Sequence, residues 1–369
     1  MNRTGKIVAL VVLAIGVRLV AWPVTTGDMR IFVMWYHQLG DIGGWRAIGA
    51  DVGNYNAPFV YLLAFLHLVP GPLVVKIKLA FVVFDAVLAF FAYKISDSFK
   101  VFAVVLLLPT VVINASLWGQ IDAMWAALGL GGVYYLLRDR PWLGVSLVAA
   151  SVAIKPQGIF LAPLLLLLAL GGRLPWRTLL AAPAVLLALD LPALIAGRDP
   201  VELFTIYDLD RQSHIVASLT QRAPSAYAFL PAGTPVETVK LVGYIVAAAA
   251  VLAVCGLLAR HDIDILAAAA LFSIMVPFLL PGMHERYFFL ADVLTVLLAW
   301  RNPRLWPIPV LVQAASLISY APYLLGGYLM PMAVPAALML AALLATAVTL
   351  RPVSRPVADP PVLLPARPA

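Results

Sequence analysis

A few short stretches of this 369-residue chain carry side chains whose chemistry is out of place among their apolar neighbours. Trp118-Gly119-Gln120-Ile121-Asp122 sets an indole, an amide and a carboxylate between the apolar runs 101–113 and 123–137. Such groups at a membrane boundary are costly without water or partners. They read either as an interfacial tryptophan anchor or as one wall of a polar site. Asp28, shortly after the first apolar run, reads either as a helix N-cap or as a general base for an acceptor hydroxyl. Lys155-Pro156-Gln157 follows the run ending at Ile154. Lys155 is then a snorkelling lysine or a cation facing a phosphate, with the Gln157 amide in support. His284-Glu285-Arg286-Tyr287 packs an imidazole, a carboxylate and a guanidinium between two runs. The arginine fork suits phosphate oxygens, and His284 can donate to them as well. Asp85 stands inside an apolar run, where an unpaired charge is expensive, and Arg18 in the first run is a plausible partner.

Composition bounds what could position these groups. The chain is 63% hydrophobic and 12% charged, with mean hydropathy +0.98. A soluble domain cannot hide that much apolar surface, so the expected class is an all-α polytopic membrane protein. The net charge of +7 is scattered between apolar runs, which speaks for topology and against nucleic acid. A lone Cys255 excludes an intrachain disulfide and any cysteine-based metal site. No metal signature, Walker loop or dinucleotide glycine pattern is present, apart from a weak Asp208-Leu209-Asp210 match. Neither a metal nor a nucleotide cofactor is expected. Arg3 and Lys6 before residues 7–22 resemble a signal peptide, but with no convincing cleavage site an uncleaved first span is expected.

Twelve apolar runs give about twelve transmembrane helices in a single domain, residues 1–351, with a Pro-rich tail at 352–369 read as disordered. With the amino terminus in the cytoplasm and the Pro-led run 58–69 counted as non-spanning, every cytoplasmic connection carries arginine or lysine, from Lys94 and Lys100 to Arg301 and Arg304. Both termini are then cytoplasmic. The opposite face collects residues 28–56, Trp118 to Asp122, Lys155 to Gln157, the stretch 197–240 and His284 to Arg286. The first outer loop, 23–72, should carry interfacial helices, one of them 28–39 with Ile31, Phe32, Trp35 and Leu39 on one face. A second long outer loop, 197–240, carries Asp208, Asp210, Arg211, His214 and Arg222, and loops of that length are usually functional or mobile.

In this order (Asp28 with Trp35 behind it, Asn54-Tyr55-Asn56-Ala57-Pro58, the Trp-Gly-Gln-x-Asp stretch, Lys155-Pro-Gln157, His284-Glu-Arg286) the chain resembles the membrane-embedded GT-C glycosyltransferases. Within them it looks like bacterial relatives of the second mannosyltransferase of GPI-anchor assembly. It is also similar to the dolichyl-phosphate-glucose glucosyltransferases of N-glycan assembly. The resemblance runs to about residue 300. It implies an inverting transfer of a hexose from a polyprenyl-phosphate carrier to a glycan, glycolipid or protein hydroxyl on the outer face of a prokaryotic plasma membrane. It makes Asp28 the base. Gln120 and Asp122, in the stretch from Trp118, would line the sugar and acceptor site, Lys155, His284 and Arg286 would lie near the lipid phosphate, and Trp35, Tyr55, Asn56, Gln157 and Glu285 are further substrate-binding candidates. The glucosyltransferases are His-rich where this chain has Trp-Gly-Gln, and have a Tyr-Pro-Pro-type run where it has Tyr-Asn-Ala-Pro, so mannose is preferred over glucose as the sugar, with glucose the alternative. The alternative is a carrier or flippase for a polyprenyl-linked lipid. A further alternative is a ligase that moves whole oligosaccharides from diphosphate lipids.

Overall fold

Apolar runs fold as helices here, and the polar stretches become the caps and breaks between them. The computed structural model describes residues 3–208, 218–231 and 233–350. In chain order the first helices are α1 (Arg3–Ala21), α2 (Gly27–Asp41), α3 (Ala57–Phe65), α4 (Leu73–Ser96), α5 (Phe99–Leu106) and α6 (Pro109–Val112). Next come α7 (Asp122–Leu137), α8 (Pro141–Ile154), α9 (Ala162–Leu170), α10 (Ala181–Ile195) and α11 (Pro200–Phe204). The chain closes with α12 (Val236–Leu258), α13 (Ile265–Leu279), α14 (Phe289–Arg301), α15 (Pro307–Leu324) and α16 (Ala333–Thr349). Two short strands, β1 (Thr220–Gln221) and β2 (Met283–His284), pair in parallel. Asp210, Arg211, His214 and the tail 352–369 lie outside the described residues.

Three stretches are single helices long and apolar enough to cross a membrane: Trp176–Ile195, Val236–Leu258 and Pro303–Leu324. A fourth is a pair, α5 with Pro109–Trp118, bent by 50°. The bend follows from Pro109, which drives Leu108 out of the helical region to ψ 129°. The α4 helix has 24 residues and is long enough, but it carries Lys76, Lys78 and Asp85. Five other apolar helices are shorter, at 10–17 residues. The α3 helix has nine residues. At about 1.5 Å per residue it reaches roughly 14 Å, too short to cross a bilayer core of about 30 Å.

Many large apolar side chains are exposed while several charged ones are buried, an arrangement compatible with a membrane protein. Val12, Val20, Leu241, Leu252 and Leu257 are exposed, while Arg18, Asp85, Asp122, Lys155 and Asp292 are buried. Arg18 and Asp85 do pair, Nη2 to Oδ2 at 2.8 Å, and the guanidinium also donates to the carbonyls of Ala14 and Leu106. Lys78 donates to the carbonyls of Ala21, Trp22, Val24 and Ser116. It thereby caps the end of α1 and ties it to the segment before Trp118. Lys76 does the same for the end of α3 through the Leu66 and Val69 carbonyls. In α2 the buried face is Met29, Phe32, Trp35 and Leu39, whereas Ile31 is 41% exposed, so Ile31 does not share the buried face as the spacing suggested.

Candidate active site

Asp28 lies in the first turn of α2, but the helix is capped by Thr26, whose hydroxyl accepts from the Met29 N–H and donates to the Trp118 carbonyl at 2.6 Å. The N-cap reading of Asp28 is therefore corrected, and its carboxylate is left for other work. Asp28 Oδ2 accepts from Trp118 Nε1 at 2.8 Å and Gln120 Nε2 at 2.6 Å, and faces Arg286 Nη2 at 3.5 Å. Oδ1 receives no hydrogen bond from any described residue. Its backbone N–H donates to the Tyr323 hydroxyl at 3.0 Å, and the Tyr323 ring stacks on Trp118 at 4.7 Å. Trp118 is fully buried, so it is no interfacial anchor.

Local backbone makes this convergence possible. Residues Ile113–Trp118 form a π-helical turn, a rare element that recurs at functional sites. Gly119 follows at φ +73°, where a side chain would be strained, and a Cβ there would meet Met29 Sδ at 2.8 Å. The turn lets residues on either side of Gly119 donate to the same carboxylate oxygen.

Behind Asp28 stands a second, fully buried carboxylate. Asp122 Oδ1 accepts from Lys155 Nζ at 2.5 Å and Trp125 Nε1 at 2.9 Å, and Oδ2 accepts from Asn114 Nδ2 at 2.7 Å. Pro156 ends α8 at Lys155, whose extended backbone turns its side chain inward. Lys155 is 2% exposed, so it does not snorkel, and its ammonium is committed to Asp122 rather than standing free for an anion. Burial pushes this ammonium below the usual lysine range, against the opposing pull of Asp122.

Arg286 sits among three carboxylates: Glu285 Oε1 at 2.9 Å, Asp28 Oδ2 at 3.5 Å and Asp122 Oδ2 at 3.8 Å. Burial alone would push its guanidinium down, but Asp28, Glu285 and Asp122 more than offset this and hold it above the usual arginine range. Burial pushes the Glu285 carboxyl up, opposed first by Arg286 and more weakly by Arg222. The guanidinium also lies over the Trp118 and Tyr287 rings, at 5.3 and 5.9 Å.

These groups border a cavity of about 180 Å³. Asp28, Gln120, Lys155, Gln157, His284 and Arg286 supply its polar lining, with Asn54 beside them. Trp35, Tyr55, Tyr207 and Tyr287 supply aromatic rings, and Ile31, Phe32 and Pro156 complete the wall. Gln157 Oε1 is buried without a hydrogen-bond partner among the described residues, an acceptor suited to a ligand hydroxyl. Gly53, at φ +79°, lets the Trp35 ring lie directly on the backbone, since a Cβ there would meet the ring at 2.8 Å.

Of the site residues expected from sequence, Asp28, Trp35, Tyr55, Gln120, Lys155, Gln157, His284 and Arg286 meet at this cavity. Four stand behind it. Trp118 and Asp122 are fully buried and orient Asp28 and Lys155. Glu285 is fully buried and braces Arg286. Asn56 caps α3, accepting from the Ala57 N–H at 2.8 Å, with Tyr207 Oη accepting from its own N–H. Sequence reasoning passed over Asn114, Trp125, Tyr207 and Tyr323. Asn114, a polar residue next to an apolar run, was the one with a visible signal. Among the described residues no group of three or more His, Cys, Asp or Glu side chains could hold a metal ion. No family model, curated protein or solved structure matches the chain.

Proposed function

We propose that the chain is a membrane-embedded glycosyltransferase that moves one hexose, mannose by preference, from a polyprenyl-phosphate carrier to an acceptor hydroxyl. The observation that carries this reading is the state of Asp28. One oxygen accepts two hydrogen bonds and faces a guanidinium, and the other accepts none from any described residue, on a carboxylate that lines the cavity. A carboxylate fixed in this way is a preorganised proton acceptor. Arg286, with His284 beside it, supplies donors for the phosphate that leaves. Aromatic rings interleaved with amides suit a pyranose, which offers C–H faces to rings and hydroxyls to amides. The cavity lies below the roughly 300–1,000 Å³ of drug-sized pockets, which favours a single sugar over an oligosaccharide. Lys155, paired with Asp122, holds the site together and shapes its field rather than receiving the phosphate alone.

In this reading about twelve segments cross the membrane, with broken and shorter helices drawing on flanking turns. The cavity faces outward, on the extracytoplasmic side of a prokaryotic plasma membrane, with both termini inside. The order of Asp28, Trp-Gly-Gln-x-Asp, Lys-Pro-Gln and His-Glu-Arg along the chain supports a GT-C relationship. Buried ion pairs of the Arg18–Asp85 kind also serve membrane carriers, which keeps a polyprenyl-lipid flippase as the second reading.

Purified protein in proteoliposomes separates them when offered a panel of polyprenyl-monophosphate mannose, polyprenyl-monophosphate glucose and a diphosphate-linked oligosaccharide. Covalent transfer from a monophosphate hexose, and none from the diphosphate lipid, is the expected outcome. Lipid counterflow across the vesicle with no covalent product would move the assignment to the carrier.

A further inference from the structure

Arg222, in the long stretch between α11 and α12, has no part in the chemistry described so far, yet it is built with care. Its backbone is left-handed at φ 60°, a conformation a non-glycine residue adopts at a cost of about 1 kcal/mol or more. The turn that holds it is fixed by Thr220, whose hydroxyl accepts from the Ala223 N–H and donates to its carbonyl. β1 just before it pairs with β2, with Thr220 opposite Met283 and Gln221 opposite His284. Backbone bonds from Gly282 to the Leu219 carbonyl and from Glu285 to the Gln221 carbonyl lock the two segments together.

From there Arg222 touches two arms that converge on Asp28. Its Nε lies 3.9 Å from Glu285 Oε2, a buried oxygen that accepts no hydrogen bond from the described residues, and Glu285 Oε1 holds Arg286. Its guanidinium lies over the Tyr323 ring at 5.7 Å. Tyr323 in turn accepts from the Asp28 N–H and stacks on Trp118, which donates to Asp28 Oδ2.

We propose that Arg222 is a positioning residue for the Asp28–Arg286 pair, which makes the outer segment 218–222 part of the active site. A cation at this point balances Glu285 so that Glu285 grips Arg286, and it presses Tyr323 onto the tryptophan that orients Asp28. The kinetic part of this proposal rests on the glycosyl-transfer reading; the geometric part does not.

The test uses the full chain in proteoliposomes and two variants. Arg222→Gly removes the guanidinium while relaxing the left-handed backbone, so folding is preserved. Arg222→Lys keeps a charge without the fork. The first readout is mass-spectrometric: the rate at which a carboxyl-directed carbodiimide labels Asp28. Arg222→Gly should change that rate several-fold, added guanidinium ion should restore it, and Arg222→Lys should fall between. The second readout is hexose transfer. Because misplacement of a reacting group by about 1 Å can cost roughly a hundredfold, kcat in Arg222→Gly should fall about 10- to 100-fold with donor KM nearly unchanged, again with recovery in guanidinium. Unchanged Asp28 labelling in Arg222→Gly overturns the proposal whatever transfer shows. A labelling response in a protein whose wild type transfers nothing would leave Arg222 as the positioning residue and remove the glycosyltransferase reading instead.

Discussion

Asp28→Asn should reduce hexose transfer by about 10²–10⁴-fold, the range by which a positioned general base accelerates proton transfer. The substitution is nearly isosteric, and Trp118, Gln120 and Arg286 can still surround the side chain. What is lost is the proton-accepting Oδ1. An amide has no comparable basicity, so the acceptor hydroxyl stays protonated as it approaches the sugar. Donor binding depends on the cations and aromatic rings across the cavity, so the affinity for the polyprenyl-phosphate sugar should change little. Radiolabelled transfer at saturating donor, with donor binding measured by filtration, separates the two. If Asp28→Asn turned over at the wild-type rate, the base would have to lie elsewhere. A loss confined to donor affinity would make Asp28 a binding residue.

The second large effect concerns folding. Replacing Asp122 by Asn removes the charge that balances Lys155, leaving an ammonium with 2% exposure that still feels the Arg286 guanidinium. Breaking a buried pair from one side typically costs about 3–5 kcal/mol, because the remaining charge is stranded. Thermal unfolding of the solubilised protein should show the midpoint falling by several degrees. The double change Asp122→Asn with Lys155→Met should recover much of the loss, since no stranded charge remains. A single variant that melts within about a degree of wild type would mean the pair contributes little. A double variant no better than the single would mean the loss comes from Asn114 and Trp125 instead.

Much of this architecture could be read from the chain because bilayer physics leaves few options. Two opposite charges in separate apolar runs, Arg18 and Asp85, have to find each other, and they do. The Pro-led run 58–69 reads as non-spanning from loop charge, and its helix α3 has nine residues, too few to cross a bilayer core of about 30 Å alone. Convergence across the chain was harder to see. Trp118 and Gln120 lie about ninety residues from the aspartate they hold. Their joint aim depends on a π-turn and a left-handed glycine, neither of which has a reliable sequence signature. Lys155 looked like a free cation because its partner, Asp122, sits on a different helix. Glu285 and Asn56 looked like ligand contacts because of their motif neighbours, yet burial assigns them to bracing and capping. Asp292, inside an apolar run and bonded to Ser316 at 3.0 Å, went unnoticed because its partner is twenty-four residues away. Lys76 and Lys78 stand in an apolar run for a structural reason, since helix ends in an apolar bundle need donors for their carbonyls.

The central claim is that Asp28 activates an acceptor hydroxyl for direct displacement at the sugar of a polyprenyl phosphate. Such a displacement inverts the anomeric centre, because base and leaving group act on opposite faces of the ring. Proton NMR of the first product formed from polyprenyl-phospho-mannose of defined anomeric configuration reads this directly. The expected result is a product of inverted configuration, formed by wild-type protein and not by Asp28→Asn. A product of retained configuration, or inversion undiminished in Asp28→Asn, would contradict the mechanism.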